Sequence, residues 1–389
     1  MALLNQETLV VLLLVFGRAL AHQTAADGQD GCSLIQTARG LNPLRAAGEV
    51  GPLGLQLAGA VAPSGPYTKV AFNLFWDYCS GGQLGNLMFE WASLLGLADM
   101  VGGPGAQVCY KAAAFGKSRD ALNDAFGVNR SVPSCGERTA APGCKISMKE
   151  TRHTMFESEG VANLTKKLGA LTRSGKCDEV SVTVGGCFQS WKYFDAIRPQ
   201  VVKLFTPPAA ARDDAQAWLR AARTRLSAQQ PGGGWRFVGV QVRLGDKEHN
   251  SAYAYYAPTS WSYFKAGMRH AEEQLLARHP GDQVAFVVTV GGNAEDLETT
   301  KRALAGDLGG RLLFTEAATA MVDFAVLSSA DALVISVSTF GWWAAYTSRS
   351  DVVVAPRHIY KPNTKQARKG VSAADAYPRD WKLLDNLSL

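Results

Sequence analysis

An arginine and an aspartate follow an apolar run in the middle of the chain, within the segment Trp235–Asp246 (WRFVGVQVRLGD). The planar guanidinium of Arg243 can donate two parallel hydrogen bonds to a phosphate or a carboxylate. Asp246, three residues later, is either a catalytic carboxylate or a salt-bridge partner of the same arginine. The sequence therefore leaves two interpretations open: an anion-binding site, or an ion pair that stabilises the end of a strand.

The element that must position Arg243 is predicted to be a buried β-strand. The stretch Phe237–Val242 is almost entirely apolar, which is typical of a strand inside a parallel sheet. In doubly wound sheets, ligands bind outside the carboxyl ends of the strands. Arg243 comes at that end, so the strand would carry its side chain to a ligand site.

A second strand, followed by a glycine-containing turn, is predicted near residue 80. Val70–Phe75 is predicted to be the strand, residues 79–85 the loop, and Asn86 the cap of a helix that continues to Ala98. The dinucleotide-binding fingerprint has the same order of elements, but Ser80 stands where its first glycine belongs and no clear ribose-binding acid follows the second strand. The sequence therefore argues against NAD or FAD as a ligand.

Four segments, taken together, resemble the α-1,2-fucosyltransferase family. VGVQVRLGD is similar to the family's donor-binding signature, His-x-Arg-Arg-x-Asp, and the other segments are GGQLGNLMFEWASLLGLA, GCFQSWKYF and DFAVLSSADALVISVSTFGWWAAYTS. They follow the order of the family's own motifs, and the resemblance covers most of the chain. Three positions depart from the pattern: Gln241 replaces a usual His, Leu244 a usual second Arg, and Leu87 a usual Gln.

The resemblance implies an α/β fold of the GT-B type, in which two Rossmann-like domains face each other across a cleft. It also implies an inverting transfer of L-fucose from GDP-fucose to a terminal galactose of a glycan, in α-1,2 linkage. The implied catalytic residues are Arg243 and Asp246. The implied donor-binding residues are Gly82, Gly85, Asn86, Arg243, Ser338, Thr339 and Phe340. Without the resemblance, the two glycines would be interpreted as turn residues that need a positive φ.

Fucosyl transfer requires stabilisation of the departing diphosphate, because negative charge grows on it as the glycosidic bond breaks. A metal held by an Asp-x-Asp pair commonly supplies this charge, but the sequence contains no Asp-x-Asp. Arg243 is therefore predicted to be the counter-charge, with no metal or other cofactor. Val337–Phe340 follows a predicted strand and opens a helix, so its hydroxyl and N–H groups can face the same phosphates. Alternatively, Ser338 only caps that helix.

The acceptor hydroxyl must lose its proton, which calls for a carboxylate or an imidazole within hydrogen-bond reach. Asp246, Glu248 and His249 are the candidates by position. An oxocarbenium-like transition state with late proton loss would relax the need for a strong base, and the sequence leaves this open. The aromatic residues of GCFQSWKYF and the adjacent tryptophans of FGWWAAY are predicted to be packing rather than a sugar platform.

Two other functions are also compatible with parts of the sequence. A protein O-fucosyltransferase or an α-1,6-fucosyltransferase shares the arginine motif but lacks the GxLGNxMF and STFxWWAAYL segments. A secreted carbohydrate-binding pseudoenzyme would fit the departures at Gln241 and Leu244. An assay of fucose transfer, with the product linkage mapped, would distinguish these functions.

Length and composition indicate a globular protein of two domains. The chain has 389 residues, of which 47% are hydrophobic and 19% charged, which excludes a disordered chain. A net charge of +6 without a run of five Lys or Arg gives no support for nucleic-acid binding. A basic surface facing an anionic nucleotide sugar would explain this charge.

The order of predicted elements divides the chain into four parts. Residues 1–22 are predicted to be a signal peptide or short signal-anchor, 23–66 a flexible stem, 67–228 an N-terminal, acceptor-side Rossmann-like domain, and 235–389 a C-terminal GDP-fucose-binding domain. From Phe237 to Ala355, strands and helices alternate regularly, which favours a parallel sheet. QQPGGG is the predicted hinge. Residues 111–153 are polar and irregular and are predicted to be a surface excursion.

The N-terminus predicts entry into the secretory pathway. Leu9–Gly17 is apolar but shorter than the roughly 20 residues that span a bilayer, and an Ala-Leu-Ala triplet follows it. The family resemblance implies a type II anchor in the Golgi membrane, with the catalytic part in the lumen. Secretion after signal cleavage is the alternative.

Cysteines and sequons are consistent with an oxidising lumen. Seven cysteines leave one unpaired, and Cys135 and Cys144, which flank a polar loop, are the predicted disulfide. Sequons at Asn129, Asn163 and Asn386 are predicted glycan acceptors.

Overall fold

The structure, a computed structural model, describes residues 69–75, 83–102, 106–110, 122–127, 141, 143–151, 154–244, 254–306, 308–316 and 318–387. All of them belong to one compact unit, Val50–Leu389. Predictions for the N-terminal segment, the stem, Gly82, Asn129 and Asp246 lie outside the described residues.

The first sheet is parallel and has four strands in the order β2-β1-β4-β3. The strands are β1 (Lys69–Phe75), β2 (Gln107–Tyr110), β3 (Lys145–Lys149) and β4 (Glu179–Gly185). The longer helices of this part are α1 (Leu84–Gly102), α2 (Ser158–Ser174) and α3 (Arg198–Leu204). Helix α1 is buried on nearly every side, as its almost continuous apolar sequence requires.

Strand β3 lies inside the stretch that was predicted to be an irregular surface excursion, so that prediction was wrong for these residues. Its sequence, KISMK, alternates exposed and buried residues, the pattern of a half-buried strand. Its parallel pairing with β4 supplies the backbone partners. The period-two signal was present in the sequence, but it spans only five residues between long polar stretches.

The second sheet is also parallel and has six strands in the order β10-β9-β8-β5-β6-β7. The strands are β5 (Trp235–Arg243), β6 (Gln283–Gly291), β7 (Leu312–Phe314), β8 (Ala332–Ile335), β9 (Val353–Pro356) and β10 (Lys382–Leu384). The helices are α4 (Ala209–Gln229), α5 (Trp261–Arg278), α6 (Ala294–Leu304), α7 (Ala320–Ser328), α8 (Thr339–Thr347), α9 (Lys365–Arg368) and α10 (Ala373–Ala376).

The regular βα order predicted for the second half is confirmed. Side-chain caps fix several helix starts: Ser260 caps α5, Thr319 caps α7, and Asn293 forms a capping box with Asp296 at α6. The predicted α/β architecture of the GT-B type, built on two parallel sheets, is confirmed. The individual domain boundaries remain predictions.

Aromatic packing joins the helices of the first sheet to those of the second. Phe89 of α1 lies 4.4 Å from Trp342 and 4.9 Å from Trp343 of α8, measured between ring centroids. Phe194 stacks on Trp343 at 5.4 Å. The indole N–H of Trp343 donates to the carbonyl of Gly85 at 2.9 Å. These contacts hold the two sheets in a fixed relation, because large rings packed this tightly leave little room to slide.

The predicted packing role of the aromatic residues after Gly186 is confirmed. Phe188, Trp191, Tyr193 and Phe194 are all buried in the core that both sheets share. Trp343 is fully buried in the same core.

Cys144 pairs with Cys177 rather than with Cys135, so the predicted disulfide was wrong. Cys144 immediately precedes β3 and Cys177 shortly precedes β4, and the two Cα atoms are 5.8 Å apart. Because β3 and β4 are neighbouring parallel strands, residues 33 positions apart in sequence meet at the same sheet edge. Proximity in sequence was a poor guide to the partner.

Within the residues described, no helix combines the length and the hydrophobicity needed to cross a bilayer.

Candidate active site

A cavity, partly open to solvent, lies where α1, α8 and the end of β5 meet. Its lining combines a cation, three amides, two hydroxyls of a helix start and several aromatic rings. The lining residues are Gln83, Asn86, Phe89, Thr154, Gln189, Arg243, Tyr256, Val337, Ser338, Thr339, Trp342, Ile359, Ala376 and Tyr377.

Arg243 lies at the carboxyl end of β5, as the sequence predicted, and β5 is a central strand between β8 and β6. Its guanidinium donates to the Oε1 of Gln83 at 2.6 Å. Gln83 immediately precedes α1, so this bond connects the helix of the first sheet to the strand of the second. The amide of Gln83 restricts the guanidinium of Arg243, which also lines the cavity.

Gly85 and Asn86 lie in the first turn of α1 and not before it. The prediction that Asn86 caps the helix was therefore wrong, because the helix begins two residues earlier. Gly85 has no positive φ, so the turn interpretation of this glycine was also wrong. A Cβ at Gly85 would lie 2.7 Å from the backbone carbon of Thr339, so glycine is required for the close approach of α1 to α8.

Asn86 forms part of the cavity wall together with a residue from another element. Its Oδ1 accepts a hydrogen bond from the Nε2 of Gln189 at 3.1 Å. Gln189 comes from the segment between β4 and α3, which sequence reasoning did not single out for polar contacts. The two amides place donors and acceptors of the kind that sugar hydroxyls bind.

Ser338 and Thr339 both line the cavity at the start of α8. The Oγ of Ser338 also accepts from the N–H of Gly341 at 3.5 Å, so both interpretations of this serine hold: it caps the helix and it faces the cavity. Phe340 does not line the cavity and instead packs against the ring of Phe324 at 5.5 Å. The structure therefore gives no support for Phe340 as a donor-binding residue.

Gln241 has a definite structural role at the position where the family pattern has His. Its Oε1 accepts from the Oγ of Ser336 at 2.7 Å, and a Cβ at Gly341 would lie only 2.5 Å from the same oxygen. The buried amide thus fixes the segment between β8 and α8 that carries Ser338. Leu244, in place of a second Arg, is buried in the apolar core of the second sheet and adds no charge to the cavity.

Two tyrosines that line the cavity belong to none of the family motifs found in the sequence. Tyr256 and Tyr377 come from separate parts of the second half, and burial raises the pKa of both phenols well above the usual range. They remain protonated donors at any physiological pH. Trp342, predicted to be core, is buried against Phe89 and also forms part of the cavity wall.

Two predicted glycan acceptors lie in described residues, and they differ sharply. Asn163 is exposed on α2. Asn386 is 0% exposed, and its Nδ2 donates to the carbonyls of Pro258 at 2.8 Å and His358 at 3.0 Å. A glycan on Asn386 is incompatible with this folded arrangement, because the amide is already used inside the protein.

The remaining predicted site residues, Gly82 and Asp246, and the base candidates Glu248 and His249 lie outside the described residues. Among the residues that line the described cavity, none is a carboxylate or a histidine. Over the same described part of the chain, no group of three or more His, Cys, Asp or Glu side chains could hold a metal ion.

Two carboxyl groups that do not line the cavity are buried in the protein. Glu90 of α1 is 4% exposed and Glu150, just after β3, is 3% exposed. Burial raises the pKa of each from 4.5 to about 8, and the proximity of Glu150 adds to the shift of Glu90. The Oε2 of Glu150 accepts the N–H of Phe188 at 2.7 Å, while its Oε1 is buried without a hydrogen-bond partner. Both groups are therefore neutral in the folded chain near neutral pH.

Because of these two carboxyl groups, the folded protein should lose stability as the pH rises. A pKa raised on folding contributes stability that is fully present below about 4.5 and is lost as pH rises through about 8. Thermal melts of the protein from pH 5 to 8.5 should show a falling melting temperature. Glu90→Gln and Glu150→Gln should each flatten this dependence, whereas Glu159→Gln, at an exposed position of α2, should leave it unchanged. A slope that is the same in all four proteins would contradict the assignment.

The chain is similar to known proteins over most of its length. The profile of Glycosyl transferase family 11 matches residues 124–385. Galactoside alpha-(1,2)-fucosyltransferase 1 of Aotus azarae is 28% identical over 299 residues, which cover 74% of this chain and 69% of the relative. The protein of the same name from Homo sapiens is 28% identical over 288 residues, with 72% and 67% covered.

Solved structures with similarity to the chain include a mutant of Arabidopsis thaliana FUT1 in complex with GDP, with 17% identity and a TM-score of 0.39 over 75% of this chain and 71% of that one. POFUT1 in complex with GDP-fucose has 10% identity and a TM-score of 0.41 over 74% and 98%. The match to the family profile covers more than half of the chain. The chain therefore belongs to glycosyl transferase family 11, and the relationship to the α-1,2-fucosyltransferases predicted from its motifs is confirmed.

Proposed function

We propose that the protein transfers L-fucose from GDP-fucose to a terminal galactose of a glycan, in α-1,2 linkage. The observation that carries this proposal is the position of Arg243, at the carboxyl end of a central strand and in the same cavity as the start of α8. Membership of family 11 and relatives named galactoside alpha-(1,2)-fucosyltransferase support the choice of sugar and linkage.

The reaction needs positive charge where the GDP leaving group develops negative charge. Arg243 would donate two charge-assisted hydrogen bonds to the diphosphate. The amino end of α8, with the hydroxyls of Ser338 and Thr339, would add a positive dipole end and further donors at the same place. Gln83 would orient the guanidinium, and Gln241 would hold the segment that leads to Ser338.

The acceptor would occupy the aromatic side of the cavity. Asn86 and Gln189 would offer hydrogen bonds to the sugar hydroxyls, beside the edges of Phe89, Trp342 and Tyr256 that line the cavity. We propose a single displacement, in which the acceptor oxygen attacks the anomeric carbon as the bond to the diphosphate breaks, so the configuration inverts. Its proton would pass to Asp246, Glu248 or His249, the bases that the sequence places after β5.

A direct assay tests the proposal. The lumenal part of the chain is incubated with GDP-fucose and a galactose-ended oligosaccharide, and the linkage of the product is mapped by mass spectrometry and NMR. Formation of an α-1,2-linked fucose supports the proposal. An α-1,6 linkage or transfer to a peptide hydroxyl would identify one of the other fucosyltransferases. Glycan binding without transfer would identify a pseudoenzyme.

We also propose that turnover needs no metal ion, since the sequence has no Asp-x-Asp pair and Arg243 supplies a cation in the cavity. Activity should therefore persist in excess EDTA and should not increase when Mn²⁺ is restored. A rate that disappears with the chelator and returns with the metal would refute this mechanism.

The proposed location is the Golgi lumen, with residues 1–22 as a membrane anchor, or outside the cell if they are cleaved as a signal peptide. The exposed sequon at Asn163 supports contact with the glycosylation machinery. Mass spectrometry of the mature protein should find either an N-terminus at His22 or an intact anchor with a glycan on Asn129 or Asn163. An intact, unglycosylated chain in the cytosol would contradict both locations.

A further inference from the structure

Four cations are concentrated in a short segment beside the cavity, outside the residues that line it. The segment is KPNTKQARK, residues 361–369, and its cations are Lys361, Lys365, Arg368 and Lys369. All four side chains are exposed. No acidic residue occurs between positions 352 and 374, so the segment carries an unbalanced positive charge along the chain. We call these nine residues the basic segment.

The chain on either side of the basic segment belongs to the cavity wall. Ile359, two residues before it, lines the cavity, and the N–H of Lys361 donates to the carbonyl of Tyr255 at 2.9 Å. After the segment, Ala376 and Tyr377 line the cavity again. The chain therefore leaves the cavity wall after Ile359, passes through the basic segment, and returns to the wall at Ala376.

The basic segment is anchored against the body of the protein. Ala367 is partly buried against the shared core, and so is Val371 just after the segment. A Cβ at Gly370 would lie 3.9 Å from the sulfur of Met155, and the preceding residue, Thr154, lines the cavity. With its apolar residues turned to the core, the segment presents its cations to solvent beside the cavity.

The four cations repel one another because they lie close together in the chain. Lys365 and Arg368 lie three residues apart in the same short helix, α9, while Lys361 precedes this helix and Lys369 follows it directly. Like charges held this close together repel one another. Over the residues that the structure describes, none of the four forms an ion pair that would offset the repulsion. An anionic ligand would relieve it.

We propose that the basic segment binds an anionic group of the acceptor, so that the preferred acceptor is a glycan with a sulfate or carboxylate close to the galactose that receives fucose. This inference rests on the proposed function. The donor diphosphate would bind at Arg243 inside the cavity, whereas the basic segment contributes no residue to the cavity lining. The acceptor must extend out of the cavity, and its next sugars would pass the segment.

The test compares acceptors that share the same terminal galactose and differ in one group on the adjoining sugar: none, a sulfate, or a carboxylate. At low salt the protein should show a kcat/KM about tenfold higher for the anionic acceptors, the range expected from several exposed charge pairs acting together. The preference should shrink towards unity at about 0.5 M salt, because exposed charges are screened. The sulfate and carboxylate acceptors show which anion is favoured.

The decisive variant combines Lys361→Gln, Lys365→Gln, Arg368→Gln and Lys369→Gln. It should lose the preference for anionic acceptors while keeping its rate with the neutral acceptor and its affinity for GDP. A charge-matched control combines Lys203→Gln, Arg212→Gln, Arg220→Gln and Arg225→Gln, all exposed positions on or near α4. The control should retain the preference, which separates a local effect from a change in net charge.

Equal kcat/KM for neutral and anionic acceptors would overturn the inference, and so would an equal loss of preference in both variants. A loss of GDP affinity in the first variant would show that the segment serves the donor, which also overturns it. Activity with the neutral acceptor tests the proposed function separately. If no transfer is seen at all, calorimetric binding of the sulfated and neutral oligosaccharides to the GDP-loaded protein still tests the segment, and equal affinities would refute it.

Discussion

Replacing Arg243 with alanine should abolish GDP binding while leaving the fold nearly intact. Two charge-assisted hydrogen bonds to the diphosphate are worth roughly 3 kcal/mol or more together, which corresponds to a loss of at least about a hundredfold in affinity. Arg243→Lys keeps the charge but loses the planar fork and should recover only part of the affinity. Calorimetric titration of GDP into the parent and both variants measures the effect.

The salt-bridge interpretation of Arg243 predicts a different pattern, so stability must be measured beside affinity. If the arginine only stabilises the strand end, Arg243→Ala lowers the melting temperature and the surviving fold binds GDP normally. The bond from Arg243 to Gln83 is partly exposed, so its loss should cost only about 1 kcal/mol. Arg220→Ala, at an exposed position of α4, is the matched control for removing an arginine. Parent-like GDP affinity in Arg243→Ala would show that the site is elsewhere.

The second large effect is expected at Gly96, where α1 crosses the turn after β4. A Cβ at Gly96 would lie 1.9 Å from the carbonyl oxygen of Tyr193 and 2.8 Å from the Cα of Phe194. These are backbone atoms beside two fully buried rings, so neither can move aside cheaply. Gly96→Ala should therefore destabilise the protein by about 3 kcal/mol or more, measured by urea unfolding. Because α1 also carries Asn86 and Phe89, activity should fall with it.

Gly169→Ala is the matched control for this substitution. Gly169 is also inside a helix, α2, but its Cβ would meet only the mobile end of Arg173, at 3.1 Å. Alanine is a better helix former than glycine, so this variant should gain about 0.5–1 kcal/mol. If both substitutions stabilise the protein alike, α1 does not pack on the turn at Tyr193 as described.

The sequence by itself determined the family, the parallel βα order of the second half and the place of Arg243. These features depend on local patterns: an apolar run long enough to be a strand, cap residues before helices, and motifs a few residues long. The arginine is the last residue of its strand, so its position at the end of the sheet needed no knowledge of other elements.

Only the tertiary structure decided which residues meet. Gln83 touches Arg243, Gly85 touches Thr339, and Cys144 pairs with Cys177 across distances that no local pattern encodes. Asn386 is a further example: the sequence contains its sequon, but the fold buries its side-chain amide. The physical reason is that these contacts depend on how two sheets pack through their aromatic helices, and packing is a property of surfaces far apart in the chain. Short local patterns place a residue on an element, whereas packing decides what that residue faces.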